Sequence, residues 1–451
     1  MSNLFETYNK KYRKMKLGWS PQQNLLYGFL TYVALGTLLL SLPIFQKYNV
    51  SILDNLFTAT SAVSTTGLVT VSIFDTYNFW GQLIVMCLFQ IGGIGYLTFT
   101  TFMLLSTTRK LTHWHERILT SEFTLPTTIK IRHFLKSVIL FTVIMESLGA
   151  VLFFFAFKAD GMPMLQSLWN AIFHSISAFC TAGFSLFANG FVDYANDGFI
   201  NFIISMLAIS GSLGFIVVTD FYLFLKKKAH KLSFTTKIIL YGFAVLLIIG
   251  TGFLYFLEPS ITALSGYERF LVAFFQAMSS MTTVGFNTID FGGFVLPMLL
   301  VVTFLMYVGA SPSGTAGGIK ITTLSAVYAI MKSRLRASNR ITFLGRTIPY
   351  ERLYIATSAF IFYSSLILVG VWLLSFTETV SFEQLLFETA SALGTVGLST
   401  GITSELTSFG KLCIIVLMFI GRLGVLTFGL AIWSKKITNS EEKILEEDIA
   451  V

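Results

Sequence analysis

Four triplets of the form Thr-x-Gly recur along the chain: Thr65-Thr66-Gly67, Thr181-Ala182-Gly183, Thr283-Val284-Gly285 and Thr395-Val396-Gly397. Their glycines lie 116, 102 and 112 residues apart. The chemistry such triplets offer resides in the backbone. Glycine reaches angles closed to other residues, so each turn can aim carbonyl oxygens to one side. A ring of carbonyls replaces the hydration shell of a monovalent cation. One triplet carries almost no information, because small-residue runs in apolar helices more often serve helix packing. Four copies in matching surroundings carry a great deal.

A second stretch with unusual chemistry is "GASPSGTAGGIK", comprising Gly309, Ala310, Ser311, Pro312, Ser313, Gly314, Thr315, Ala316, Gly317, Gly318, Ile319 and Lys320. Five of its twelve residues are Gly or Pro. In a helix these cost about 1 kcal/mol per Gly and 3 for Pro relative to Ala, which favours an unwound segment over a kinked helix. Nucleotide binding is not indicated. The spacing GxxxxGK[ST] fails, since Ile319 separates Gly318 from Lys320. Arg422 stands alone in an apolar run. An intramembrane charge marks function by default: it would bond the carbonyls of the unwound loop or set a positive barrier. The alternative is a residue snorkelling to the interface. Glu146, Asp220 and Glu388 also sit in or beside apolar runs. Structural pairing is the favoured reading for the first two, and a brace behind the fourth turn for Glu388. Lys320 is placed near the cytoplasmic edge.

These residues need elements to hold them. The chain has 451 residues, 54% hydrophobic and 12% charged, about half the charge usual in soluble domains. Apolar stretches such as 25–42, 138–157, 238–257 and 353–376 reach the roughly 20 residues that span a bilayer. The sequence predicts an all-α polytopic membrane protein. Each triplet closes a short, moderately apolar helix, found at 54–68, 168–184, 269–286 and 384–398. A long apolar span precedes each one and a second follows, carrying a glycine cluster: "IGGIG", "SGSLG", the loop above, and "IGRLG". The reading is four tandem span–pore helix–span repeats around a pseudo-fourfold pore, with eight transmembrane helices and four re-entrant pore helices. The expected boundaries are a tail at 1–23, repeats at 24–106, 138–225, 238–331 (loop 309–320) and 353–434, and a tail at 435–451. Irregular backbone at membrane depth is tolerated only where buried in protein or lining water.

The net charge of +8 is not a nucleic-acid footprint. Of 31 Lys plus Arg, 25 fall in five clusters: 1–23, 107–136, 226–237, 332–352 and the C-terminal tail. The connections between them are acidic, for example at Asp75, Asp193, Glu258 and Asp290. The positive-inside rule places the clusters and both termini in the cytoplasm. The acidic connections either steer cations or simply follow that topology. A cleavable signal peptide is not expected, because the N-terminus is polar and basic. Cys87, Cys180 and Cys413 lack paired spacing, and "HWHE" (113–116) lacks further ligands for zinc. No enzymatic constellation stands out, and no ATPase motif is present. Transport would run on the gradient: about 2.3 kcal/mol per charge per 100 mV supports roughly 300-fold accumulation at 150 mV, at 1.4 kcal/mol per decade.

With its four turn glycines, the Gly-rich break in the third repeat and the arginine of "IGRLG", the chain resembles the Trk/Ktr/HKT superfamily of potassium transporters over residues 20 to 435. The likeness is greatest to KtrB-type membrane subunits. The resemblance implies a bacterial plasma-membrane protein whose filter carbonyls come from the four triplets, with potassium as substrate at those residues and no bound cofactor. It implies an intramembrane gate at 309–318, a homodimer with a pore in each subunit, and a cytosolic KtrA-like ring of RCK-type nucleotide-binding subunits. Gly67 favours potassium, since some sodium-preferring relatives carry Ser there. The turns lack the Tyr-Gly that follows in tetrameric potassium channels, so selectivity is expected to be less strict. A sodium-coupled or sodium-selective secondary transporter is the alternative.

Overall fold

The structure is a computed structural model. It describes residues 20–95, 131–226, 231–309, 311–338 and 340–433. Ala310, the 113–116 stretch and both expected tails beyond residues 20 and 433 lie outside the described residues.

The described chain is mostly helical, and its helices sort into two kinds. Four are long and apolar enough to cross a membrane: α1 (Pro21–Leu40), α4 (Ile131–Ala159), α8 (Phe234–Leu257) and α12 (Tyr350–Leu374). Local sequence sets where they start. Ser20 caps α1 in a box with Gln23, with Pro21 in the first turn, and Ser233 caps α8 through the Thr236 N–H. Hence α8 begins four residues before the apolar boundary at 238, and polar residues likewise carry α4 and α12 ahead of theirs. Only 22–33% of their most apolar windows is buried, so these helices lie on the outside.

After each long helix comes a short one: α2 (Ile52–Val63), α5 (Met164–Phe179), α9 (Gly266–Thr282) and α13 (Phe382–Gly394). At 1.5 Å per residue they reach about 18–26 Å, less than the roughly 30 Å of a hydrocarbon core. Their amphipathic pattern disappears toward the C-terminus. In α2 every residue from Phe57 to Val63 is buried, and in α13 every residue from Leu393 back to Phe387. A helix end buried on all sides lies at the centre of the molecule.

The third helix of each unit ends at its glycine cluster. α3 (Phe79–Ile94) ends at Gly95. α6 (Gly198–Ser212) turns by 92° into α7 (Phe215–Leu225), and α14 (Ser408–Leu423) by 97° into α15 (Val425–Trp433). Gly95, Gly214 and Gly424 have φ of 87°, 83° and 83°, a region that stops a helix of L-residues. The second spans of units two and four are therefore bent and not straight, which the sequence reading expected only in the third. There, α10 (Leu296–Tyr307) gives way to a loop and α11 (Ile321–Leu335). A parallel pair, β1 (Val308–Gly309) with β2 (Ile319–Lys320), pinches the loop's ends together.

Two apolar clusters form the interior, one drawn mainly from the first two units and one from the last two. They exchange residues where they meet. Phe57 and Leu68 of the first unit pack in the second cluster, while Phe275 and Phe286 of the third pack in the first.

Candidate functional site

The four turns are built alike. In each, a fully buried serine stands four residues before the threonine: Ser61, Ser177, Ser279 and Ser391. Its carbonyl accepts from the N–H of the middle residue of the triplet, at 2.9 Å for Thr66, 2.8 Å for Ala182, 3.2 Å for Val284 and 2.8 Å for Val396. That bond ends the helix by rolling the threonine over. Thr65, Thr181, Thr283 and Thr395 have φ of 52°, 50°, 54° and 50°, a left-handed conformation that is an outlier for a β-branched residue and costs of order 1–3 kcal/mol each. The serine hydroxyls then divide two and two. Ser61 and Ser391 accept from the N–H of Gly67 and Gly397, both at 3.1 Å. Ser177 and Ser279 donate to the carbonyls of Phe184 (2.8 Å) and Phe286 (2.5 Å).

The glycines close a ring. A Cβ on Gly67 would lie 2.6 Å from the Ala182 oxygen, and one on Gly183 2.7 Å from the Val284 oxygen. One on Gly285 would strike the Val396 oxygen, and one on Gly397 the Thr66 oxygen. Each turn thus abuts the next in chain order, and the fourth abuts the first. All four glycines have φ between 69° and 95°. A side chain at any of them would be strained and would displace a carbonyl of the neighbouring turn. The carbonyl ends of the four short helices, with their partial negative charge, converge here.

Unit four meets unit one without a covalent link, and an ion pair spans that seam. Lys411 of α14 lies 2.7 Å from Asp54 of α2. Burial pushes the Asp54 carboxyl up, but hydrogen bonds from Lys411, Ser51 and Thr70 outweigh it and hold the group below the usual carboxylate range.

Cavities open on both sides of the ring. One of about 350 Å³ touches all four glycines and continues past Ser185, Asn287 and Ser399. The other, of about 250 Å³, is lined by Gly92, Gly317, Lys320 and Arg422. Between the ring and the second cavity lies the loop after α10. It is pinned to three units. The Thr315 N–H donates to Gly211 O (3.1 Å), the Phe215 N–H to Ser313 O (3.2 Å), and the Gly317 N–H to the turn hydroxyl of Thr283 (3.0 Å). Arg422 donates to Thr315 O at 2.5 Å, and its other nitrogen donates to Gly92 O and, at 3.1 Å, to Gly93 O. It therefore joins the loop to the broken end of α3.

The structure thus gathers the twelve triplet residues in one ring and places the described loop residues and Arg422 against it. The ammonium of Lys320 donates back to Ala316 O (2.5 Å) and Gly317 O (2.8 Å), bracing the loop from within. Asp220 accepts from the Ser233 N–H at 2.7 Å, at the start of α8. Glu146 takes a hydrogen bond from Gln90 (2.9 Å), beside Cys180 and the second turn. The sequence reading missed the four serines, although the register Ser-x-x-x-Thr-x-Gly repeats without exception and aligning the triplets exposes it.

A family profile described as "Cation transport protein", TrkH, matches residues 22–441. The chain belongs to the TrkH family. This is a family of membrane cation transporters, not of enzymes, and with its long apolar helices the chain is a multi-pass membrane protein. It is 34% identical over 407 residues to the "Ktr system potassium uptake protein B" of Vibrio alginolyticus, covering 89% of each chain. It is 35% identical over 416 residues to the protein of the same name from Bacillus subtilis, covering 91% of this chain and 92% of that one. To the "Potassium/sodium uptake protein NtpJ" of Enterococcus hirae it is 33% identical, covering 92% and 93%. Its fold matches the crystal structure of the potassium transporter TrkH from Vibrio parahaemolyticus with a TM-score of 0.70 at 21% identity, over 90% of this chain and 83% of that one.

Proposed function

We propose that the chain carries potassium into the cell, down its electrochemical gradient, through the ring of the four triplets. The observation that supports this reading most directly is the cyclic contact of each turn glycine with the next turn's carbonyl. A ring of backbone carbonyls of this kind can replace the hydration shell of a monovalent cation. Two relatives are named potassium uptake proteins. In this reading the chain crosses the membrane eight times in four repeats, with the boundaries expected from the sequence. The basic loops and both termini face the cytoplasm, and the 350 Å³ cavity faces outward. The residues from Gly309 to Gly318 form the gate, held shut by Arg422. A "Ktr system" relative belongs by name to an assembly. For this chain we place the partners as a second copy of itself and a cytosolic ring of nucleotide-binding RCK-type subunits that moves the gate.

The test is flux into proteoliposomes with K⁺, Rb⁺ and Na⁺, with and without an inside-negative potential. Potential-driven K⁺ and Rb⁺ uptake exceeding Na⁺ uptake is expected, and the absence of potential-driven flux would sink the reading. Within it, Gly67→Ser reduces the K⁺ over Na⁺ preference by about tenfold; an unchanged preference removes Gly67 from the selectivity argument. A second reading, a sodium-coupled or sodium-permeant transporter, has the potassium/sodium uptake relative in its favour. It predicts K⁺ uptake that rises with external Na⁺.

A further inference from the structure

The four short helices differ at one equivalent position, seven residues before the turn threonine. It holds Thr58, His174, Gln276 and Glu388, all fully buried. Three of these brace the chain that leaves the turn. His174 donates from Nδ1 to Asn170 O (2.8 Å), so its Nε2 accepts from the Leu186 N–H (3.1 Å) and the Ser185 hydroxyl (3.1 Å). This is a neutral imidazole by its partners. Gln276 has only donors near one end of its amide. With its oxygen turned there, it accepts from the Thr288 N–H and hydroxyl, both at 2.8 Å. Glu388 accepts from the Ser399 hydroxyl (2.8 Å) and from the Thr403 hydroxyl. The position is thus neutral in three repeats and carries a carboxyl in the fourth.

That carboxyl has no cationic side chain among its partners in the described residues. Burying a carboxylate away from water costs several kcal/mol unless a nearby charge balances it. Its two hydroxyl partners point to where that balance lies, because Ser399 and Thr403 both line the 350 Å³ cavity above the ring. Ser399 spends one lone pair on the Gly401 N–H (3.0 Å), and its oxygen lies 2.9 Å from that of Thr403; with both protons given to the carboxylate, each oxygen still keeps a lone pair for another partner, and the chain of bonds makes it more negative. A single carboxylate with neutral oxygens suits a monovalent cation; divalent sites gather more oxygen ligands, usually with several carboxylates.

We infer that Glu388, acting through Ser399 and Thr403, forms an off-axis subsite for a monovalent alkali cation in the cavity above the ring, on the fourth repeat's side. The subsite holds the ion before it enters the ring, and the ion is the counter-charge that the buried carboxylate otherwise lacks. The inference rests on the reading of the ring as the ion path and of this cavity as its entrance.

The test uses the full-length protein in proteoliposomes, with Rb⁺ uptake measured against external Rb⁺. Glu388→Gln keeps the shape of the brace and removes the charge. It is expected to raise the half-saturating Rb⁺ concentration roughly tenfold, with a smaller change in maximal rate. Glu388→Asp shortens the brace and keeps the charge. It is expected to retain most of the affinity that Glu388→Gln loses, a retention that a purely structural brace at residue 388 would not give. An unmoved half-saturation in Glu388→Gln, or an equal shift in Glu388→Asp, overturns the subsite while leaving the ion path standing. If the amide variant does not assemble, Ser399→Ala removes one relay and is expected to shift half-saturation in the same direction; no shift overturns the subsite. If the wild type carries no Rb⁺, the ion path itself fails. The subsite is then decided by the Rb⁺ dependence of the melting temperature, which Glu388→Gln must shift to higher Rb⁺ for the inference to survive.

Discussion

The turns and the helix breaks behind them obey different rules. All four turns repeat the same serine, the same left-handed threonine and the same glycine. Behind them, the helices of units one, two and four end at one glycine with φ near 85°, while the third unit spends residues 311–318 on a loop. Symmetry is kept where the four turns meet in one ring. It is given up behind the ring, where only the third unit lays a loop against it; under the proposed function that loop is the one part that moves.

The sharpest way to break this comparison is to place a methyl group inside and outside the ring. Gly397→Ala puts a Cβ onto the Thr66 carbonyl at φ 95° and is expected to lower K⁺ flux by about 100-fold. Gly401→Ala has a similar φ of 99° but meets nothing within 4 Å. It should cost about 1 kcal/mol of stability and little flux. Equal flux losses would show that strain, and not the neighbouring carbonyl, is what matters. On the asymmetric side, Arg422→Gln removes the charged donors that join the loop to the end of α3. Flux without any regulatory subunit is expected to rise roughly tenfold, and a fall in a correctly folded protein would contradict a latch. The two-and-two split of the serines sharpens the comparison further. Ser391→Ala strands the half-buried Gly397 N–H and should cost about 2 kcal/mol in thermal stability. Ser177→Ala frees a carbonyl, which tolerates loss of a partner better, and should cost about 1 kcal/mol. The smallest effect belongs to the seam. The folded state holds the Asp54 proton affinity low, so its contribution is present above the unfolded pKa near 3.9 and is lost as pH falls through the lower folded value. Asp54→Asn should remove about 1 kcal/mol at neutral pH and flatten the melting curve against pH in that acid range.

Much of this was legible in the sequence because repetition is a local property. The triplets, the short helices before them and the glycine clusters after them can be aligned by eye, and the structure places the triplets in one ring. Other features were not legible because they depend on distant residues. A threonine gives no hint that it will sit at φ 50°; the bond from the next N–H back to the serine carbonyl forces it there. Gly214 and Gly424 read as members of glycine clusters on continuous spans, yet their helices turn through 92° and 97°. Lys320 looked peripheral from its neighbours in the chain. Only the folded loop shows its ammonium pointing back at Ala316 and Gly317.

One hydrogen bond links the two halves of the comparison. The Gly317 N–H of the loop is held by the hydroxyl of Thr283, whose backbone belongs to the ring. Under the proposed function, valve and sieve share this fastening, and a loop that withdraws takes a partner from Thr283. An open conduit would then be a slightly different strainer from a shut one, and variants that leak should also discriminate less well between ions.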